Sequence, residues 1–202
     1  MSVSKYLLNK IFGNSSLSKD QYDVADYHLQ TLLINLKKCF IVYVIAIVVH
    51  SFLLTLYVHA VFVVFRKYAG GWHAETSRNC TVVSALFFIL LPNFLYNYVA
   101  NINIELIIVF QVIVLVIAAR YSPADTEKNP LFSKSRRKTM KVRAIIFVLL
   151  LTLLCLLFSS LVLRVAILIG ELSESVLITP AFYKLLGRSY RNYEKYEVKE
   201  PN

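Results

Sequence analysis

Apolar residues occur along this chain in blocks too long for a soluble core. Residues 39–65 hold 27 positions without a formal charge, and residues 81–104 hold 24 more, interrupted by Pro92 and by Asn93, Asn97, Asn101 and Asn103. After Glu105, residues 106–119 continue apolar apart from Gln111, residues 144–163 form a run of 20, and a weaker stretch, 165–183, carries Glu171, Glu174 and Pro180. A membrane-spanning helix needs about 20 such residues. The pattern therefore predicts an all-α, polytopic helical membrane protein forming one integral domain over 1–202.

Polar interruptions place the turns. Residues 81–119 read as a hairpin turning at Asn101-Ile102-Asn103, and 144–183 as a hairpin turning near Ser159-Ser160 to Arg164. The run 39–65 is ambiguous: as one helix it would be about 40 Å long, enough to cross with tilt. Charge bears on the choice. Of the 22 Lys and Arg, five lie in 1–38, three in 66–80, eight in 120–143 and five in 184–202. Basic residues accumulate on the cytoplasmic side, so all four regions, both termini included, are expected there. That requires 39–65 to cross twice, as two short helices with the first reaching back into 30–38, for about six membrane segments in all.

Residues 20–38 have Val24, Tyr27, Leu32 and Leu36 near one face, with Asp20, Asp23 and Asp26 toward the N-terminus, where a helix dipole favours acids. They read as an N-terminal amphipathic helix at the interface or as a cytoplasmic extension of the first span. Composition agrees with a membrane protein: 57% hydrophobic, 17% charged and a mean hydropathy of +0.60, where soluble domains carry about 25% charged residues. Disorder is excluded by the same numbers. Residues 1–38 lack the compact apolar segment of a cleavable signal peptide. Three cysteines make no disulfide framework, and Cys39 and Cys155, in or beside apolar runs, read as small buried hydrophobes.

Chemistry concentrates in one polar segment, 66–80, which holds Arg66, Gly70-Gly71, the single Trp72, His73, Glu75, Ser77 and Cys80. Cysteine catalysis needs a thiolate and a base within hydrogen-bond reach. On one continuous helix His73 and Cys80 would be separated by about 10.5 Å of rise, too far for proton transfer. A break between His73 and Ser77, with Ser77 capping a new helix, would put Cys80 in a first turn whose dipole favours the thiolate, and would let His73 fold back over it. His28, His50, His59 and Glu75 offer no familiar zinc spacing, so neither metal nor cofactor is expected.

Arg66…Gly71-x-His73-x₆-Cys80 directly after an apolar block resembles the accessory gene regulator protein B family, membrane cysteine endopeptidases that mature Gram-positive quorum-sensing signal peptides. Ser122-Pro123-Ala124-Asp125-Thr126, followed by a basic loop, is similar to the family's Ala-Pro-Ala-(Asp/Ala)-Thr. Length, hydropathy and the basic regions agree over nearly the whole chain. The resemblance implies that Cys80 is the nucleophile and His73 its base. Cys80 would release the acidic C-terminal tail of a propeptide and leave a thioester, which an internal cysteine or serine of the substrate converts to a thiolactone or lactone. It also points to Gln30 as an oxyanion donor or a polar group facing headgroups, and to Arg66 as a substrate-positioning residue or topology anchor. Gly71 belongs to the matching motif, Ser77 is either a site contact or a helix cap, and Glu75 is an orienter of His73 or an exposed acid.

The basic loop 120–143 suits lipid headgroups and would also attract an acidic tail. Nothing supplies a nucleic-acid-reading element. Glu171 and Glu174 are expected to face the bundle interior or its cytoplasmic boundary, partnered by Arg164 or Lys184. Buried polar positions and the resemblance are both compatible with a homodimer. The competing reading is a peptide exporter using Gln111, Glu171 and Glu174, against which stands the lack of internal repeats. A purely structural or sensory domain would have no use for the His73–Cys80 segment.

Overall fold

The computed structural model describes residues 3–12, 18–72, 77–127, 129–158 and 160–197. Among them the secondary structure is helical: α1 (Val3–Phe12), α2 (Lys19–Val48), α3 (Phe52–Ala69), α4 (Ser77–Ala85), a π-helical turn (Leu86–Leu90), α5 (Leu91–Ala100), α6 (Ile104–Tyr121), α7 (Lys134–Leu157), α8 (Leu161–Leu177), α9 (Pro180–Leu185) and α10 (Glu194–Glu197). Five of these stretches are long and apolar enough to cross a membrane: Lys19–Val48, Phe52–Ala69, Cys80–Ala100, Ile104–Tyr121 and Lys134–Leu157. A sixth, α8, has 17 residues and packs at the centre of the bundle, in contact with α3, α5, α6 and α7.

The run 39–65 does split in two. Its break falls at 49–51, where His50 takes a positive φ of 56° and Ser51 N–H reaches back to Ala46 O at 2.8 Å. Residues 20–38 are no separate interfacial helix: α2 continues through them as one 30-residue helix, started by a reciprocal Ser18–Gln21 capping box. The turn at Asn101-Ile102-Asn103 is as the sequence places it, and Asn103 Oδ1 accepts the Leu106 N–H at 3.0 Å to start α6. The α7–α8 turn lies at 158–160, with Ser160 capping α8, while Ser159 falls outside the described residues. Pro92 would clash with the carbonyl four residues back in a regular helix; the π turn Leu86–Leu90 widens the helix there and lets the chain continue.

Successive antiparallel helices bring the short turns to one end of the bundle and the polar segments after α3, α6 and α8 to the other. Outward faces carry exposed Phe40, Val48, Phe94, Val116 and Leu157, as a lipid-facing surface does. The core centres on α8, where Val165 to Ile169 are buried against Val58, Ile107, Leu151 and Cys155. Cys155 is thus the buried hydrophobe its sequence suggests. A Cβ on Gly170 would lie 2.7 Å from Val61 Cγ1 and 3.1 Å from Val58 O, so α3 and α8 meet through this glycine. Gly170→Ala is expected to force the two helices apart and cost about 1–3 kcal/mol, read as a lower melting temperature in detergent; an unchanged melt would contradict the contact.

Candidate active site

The candidate site begins where α3 ends. Gly70 takes φ +75° and Gly71 φ +111°, conformations open to glycine. Gly70 pairs in a parallel bridge with Ala124: Ala124 N–H donates to Ala69 O at 2.8 Å and Gly71 N–H donates to Ala124 O at 2.9 Å. Trp72 N–H reaches Leu177 O at 3.4 Å. The Ser-Pro-Ala-Asp-Thr segment therefore holds the backbone immediately before His73.

A buried ion pair completes the hold. Arg66 Nη1 donates to Glu174 Oε2 at 3.0 Å, Nη2 donates to the carbonyls of Gly71 and Trp72, and the guanidinium lies 5.4 Å from the Phe62 ring centre. Glu174 is wholly buried. Its partner is Arg66, not the Arg164 or Lys184 expected from proximity in sequence, because α3 and α8 pack side by side. Glu171, one turn earlier, instead accepts from Gln111 Nε2 at 2.8 Å, and the Thr152 hydroxyl lies 2.9 Å from Gln111 Oε1. Glu174→Ala would strand Arg66 in a largely desolvated position, at a cost of about 3 kcal/mol. Thermal unfolding and limited proteolysis at 70–77 should both register it, and Glu174→Gln should recover part of the loss.

Among the described residues, Cys80 lies in the first turn of α4 (Ser77–Ala85). Its side chain is half-buried and opens into a cavity of about 450 Å³ between α2, α3, α4 and the π turn. At the polar end stand Asn35, Lys38, Arg66 and Trp72; further in, Phe62, Phe87 and Phe88 close it. Helix side chains lean toward the N-terminus, so the Cys80 side chain leans toward the N-terminal, positive dipole end of α4. That environment favours negative charge on sulfur or on a carbonyl oxygen under attack.

His73 and Glu75 lie outside the described residues, as do the predicted break between His73 and Ser77 and the Ser77 side chain. Gln30 is not brought to the cavity: it is exposed on α2 and donates to Asp26 Oδ2 at 2.9 Å. Asn35, a little over a turn further on, and Lys38 are the polar α2 residues that line it. Cys39 also lines the cavity and is only half-buried, so it is no simple core thiol. His59, at the cavity's inner end, shares a 2.8 Å hydrogen bond with the Tyr43 hydroxyl and stacks on Phe88. Neither residue carries a local signal in the sequence.

Asp125 ties the supporting loop to the C-terminal segment. Its buried carboxylate accepts the N–H groups of Asn192 at 2.8 Å, Tyr193 at 2.9 Å and Leu131 at 3.3 Å. Tyr183, whose hydroxyl donates to Asp125 O at 2.8 Å, is pushed above the usual tyrosine range by burial and stays protonated as that donor. Glu127 accepts the Ser189 N–H at 3.0 Å. That bond, then the Ser189 hydroxyl, holds its carboxyl below the ordinary glutamate value. The contact is therefore complete above that ordinary value and weakens as pH falls through the lowered one.

Comparison with known proteins matches the family described as Accessory gene regulator B over residues 4–178. An AgrB-like protein of Listeria monocytogenes serotype 4a is 38% identical over 202 residues, covering 96% of this chain and 98% of the relative. The accessory gene regulator protein B of Staphylococcus intermedius is 32% identical over 148 residues, 73% of this chain and 77% of that protein. An AgrB-like protein of Clostridium acetobutylicum is 31% identical, covering 84% and 80%. No solved structure matches.

Proposed function

This chain belongs to the accessory gene regulator B family of membrane proteins, and from that premise we propose that it is a cysteine endopeptidase maturing a quorum-sensing propeptide. The observation that carries the reading is Cys80: a half-buried thiol in the first turn of α4, opening into a largely apolar cavity beside the held Gly70–Trp72 backbone.

In this mechanism His73 takes the Cys80 proton, and the thiolate attacks the carbonyl of the peptide bond preceding the acidic tail. The free N–H groups at the start of α4 receive the developing oxyanion. As the C–N bond breaks, His73 gives the proton to the leaving amine, and the tail departs with a new N-terminus. The signal peptide remains as a thioester on Cys80. An internal thiol, or a hydroxyl, of the substrate loses its proton to His73 and attacks the thioester. A thiolactone or lactone ring closes, and the proton returns to Cys80. Apolar walls keep water from the thioester, so its acyl-transfer energy goes into the ring. Arg66 acts through the backbone of 71–72 rather than on substrate.

The reading includes a cytoplasm-facing catalytic segment, cytoplasmic termini and a homodimeric assembly. Its test uses the protein in lipid vesicles with the cognate propeptide, quenched in acid during turnover. The expected result is tail release together with a peptide mass, labile to hydroxylamine, on the fragment containing Cys80. Full cleavage after selective alkylation of Cys80 would sink the mechanism and favour the exporter reading.

A further inference from the structure

A second cavity, of about 340 Å³, lies between the end of α6, the start of α7 and the C-terminal segment. Six cations line it: Arg120, Lys134, Arg137, Lys138, Lys141 and Arg191. No Asp or Glu does so among the described residues. Such concentration of like charge around one concavity is unfavourable without an anion.

Its position says what kind of anion. Lys134, Arg137, Lys138 and Lys141 are spaced i, i+3, i+4 and i+7, so they form one stripe about 10.5 Å long on α7. The stripe stops three residues before Ala144, where the uncharged run begins. Arg120 occupies the corresponding place at the end of α6. Directly beyond, toward the bilayer, Val116, Val142 and Ile146 are exposed. A ligand matching both features has an anionic head and apolar chains.

We propose that this cavity binds the phosphate headgroup of an anionic phospholipid, with its acyl chains along α6 and α7. The rigid frame suits such a role. Arg137 Nη1 donates to the Leu131 and Phe132 carbonyls at 2.7 and 2.8 Å, and its guanidinium lies 4.0 Å from the Tyr193 ring centre. Arg191 Nη1 reaches Glu194 at 3.4 Å on the rim. Lys134, Lys138, Lys141 and Arg120 add the remaining cationic donors around the cavity. The wall also includes Ser122 and Pro123, which precede Ala124 in the bridge to Gly70, so an occupied cavity would brace the loop that supports the candidate site.

The test is independent of proteolysis. The full chain, delipidated in detergent, is titrated with dioleoylphosphatidylglycerol or dioleoylphosphatidylcholine and bound lipid is counted by native mass spectrometry. We expect phosphatidylglycerol to bind at least about tenfold more tightly, and Lys138→Gln/Lys141→Gln to remove most of that preference. Arg136→Gln/Arg143→Gln, which deletes the same charge from α7 outside the cavity, should keep it. Equal retention of both lipids, or equal losses in the two double variants, would overturn the proposal in favour of diffuse surface charge. So would a phosphatidylglycerol preference untouched in Lys138→Gln/Lys141→Gln while binding of a synthetic acidic peptide is lost. That outcome would assign the cavity to peptide. Competition by inorganic phosphate separates recognition of the headgroup alone from recognition of the whole lipid.

Discussion

Cys80→Ala is expected to abolish release of the propeptide tail, by a factor of roughly 10⁴ or more, while leaving the bundle folded. Alanine cannot form the thioester, so no route remains that conserves the acyl group. The side chain is small and half-buried, so the change in stability should be about 1 kcal/mol or less. The telling comparison is Cys39→Ala. Both thiols line the same cavity, but Cys39 lies in the interior of α2, where the helix consumes its own N–H groups and none is left for an oxyanion. Its loss should lower the rate less than about tenfold, as a change of cavity shape does. Single-turnover chromatography of the released tail, with a thermal melt for each variant, decides the matter. Cleavage by Cys80→Ala within tenfold of native, or a dead Cys39→Ala, would reverse the assignment.

Gly70→Ala should produce the second largest effect, through structure rather than chemistry. At φ +75° a Cβ would stand 2.1 Å from the carbonyl oxygen of Ala124. That oxygen belongs to the backbone and has no rotamer by which to withdraw. The Gly70–Ala124 bridge must therefore open, losing the hydrogen bonds from Gly71 to Ala124 and from Ala124 to Ala69, each about 1 kcal/mol net. An alanine held in this glycine-only backbone region, at φ +75° and ψ −136°, costs about 1–3 kcal/mol more. Because His73 comes within three residues of Gly70, displacement of this backbone by about 1 Å should reduce cleavage roughly 100-fold. Gly187 makes the control, since its φ is +63° but nothing lies within 4 Å of its Cβ position. Gly187→Ala should show the conformational penalty alone and cleave normally. Equal losses in the two variants would mean that backbone strain, not the bridge, governs the site.

Other elements show which information is local. The Asn101-Ile102-Asn103 turn and the division of 39–65 into two helices were legible because each depends on neighbouring residues: a capping amide and a run too long for its flanking charges. Residues 20–38 were ambiguous for the opposite reason. A helix with three acids and scattered apolar residues can stop before the bilayer or continue into it, and its own residues do not choose between the two. Here α2 runs on without interruption to Val48. Arg66 and Glu174 are 108 residues apart and Gln111 and Glu171 are 60 apart. No spacing rule connects them, and the nearer candidates, Arg164 and Lys184, were the wrong partners for Glu174.

By itself, then, the sequence determined that this is an all-helical membrane protein, that the 39–65 run breaks in two and the chain turns at 101–103 and near 160, and which segment carries the distinctive histidine and cysteine, because apolar run length, caps and charge act over a few residues. Tertiary structure alone decided that Cys39 and His59 share the Cys80 cavity while Gln30 does not, that Ala124 braces Gly70, and that Glu174 receives Arg66. These arrangements arise from the close approach of α3 to α8 and from the meeting of the polar segments at one end of the bundle, where packing of buried surface, not sequence proximity, selects each partner.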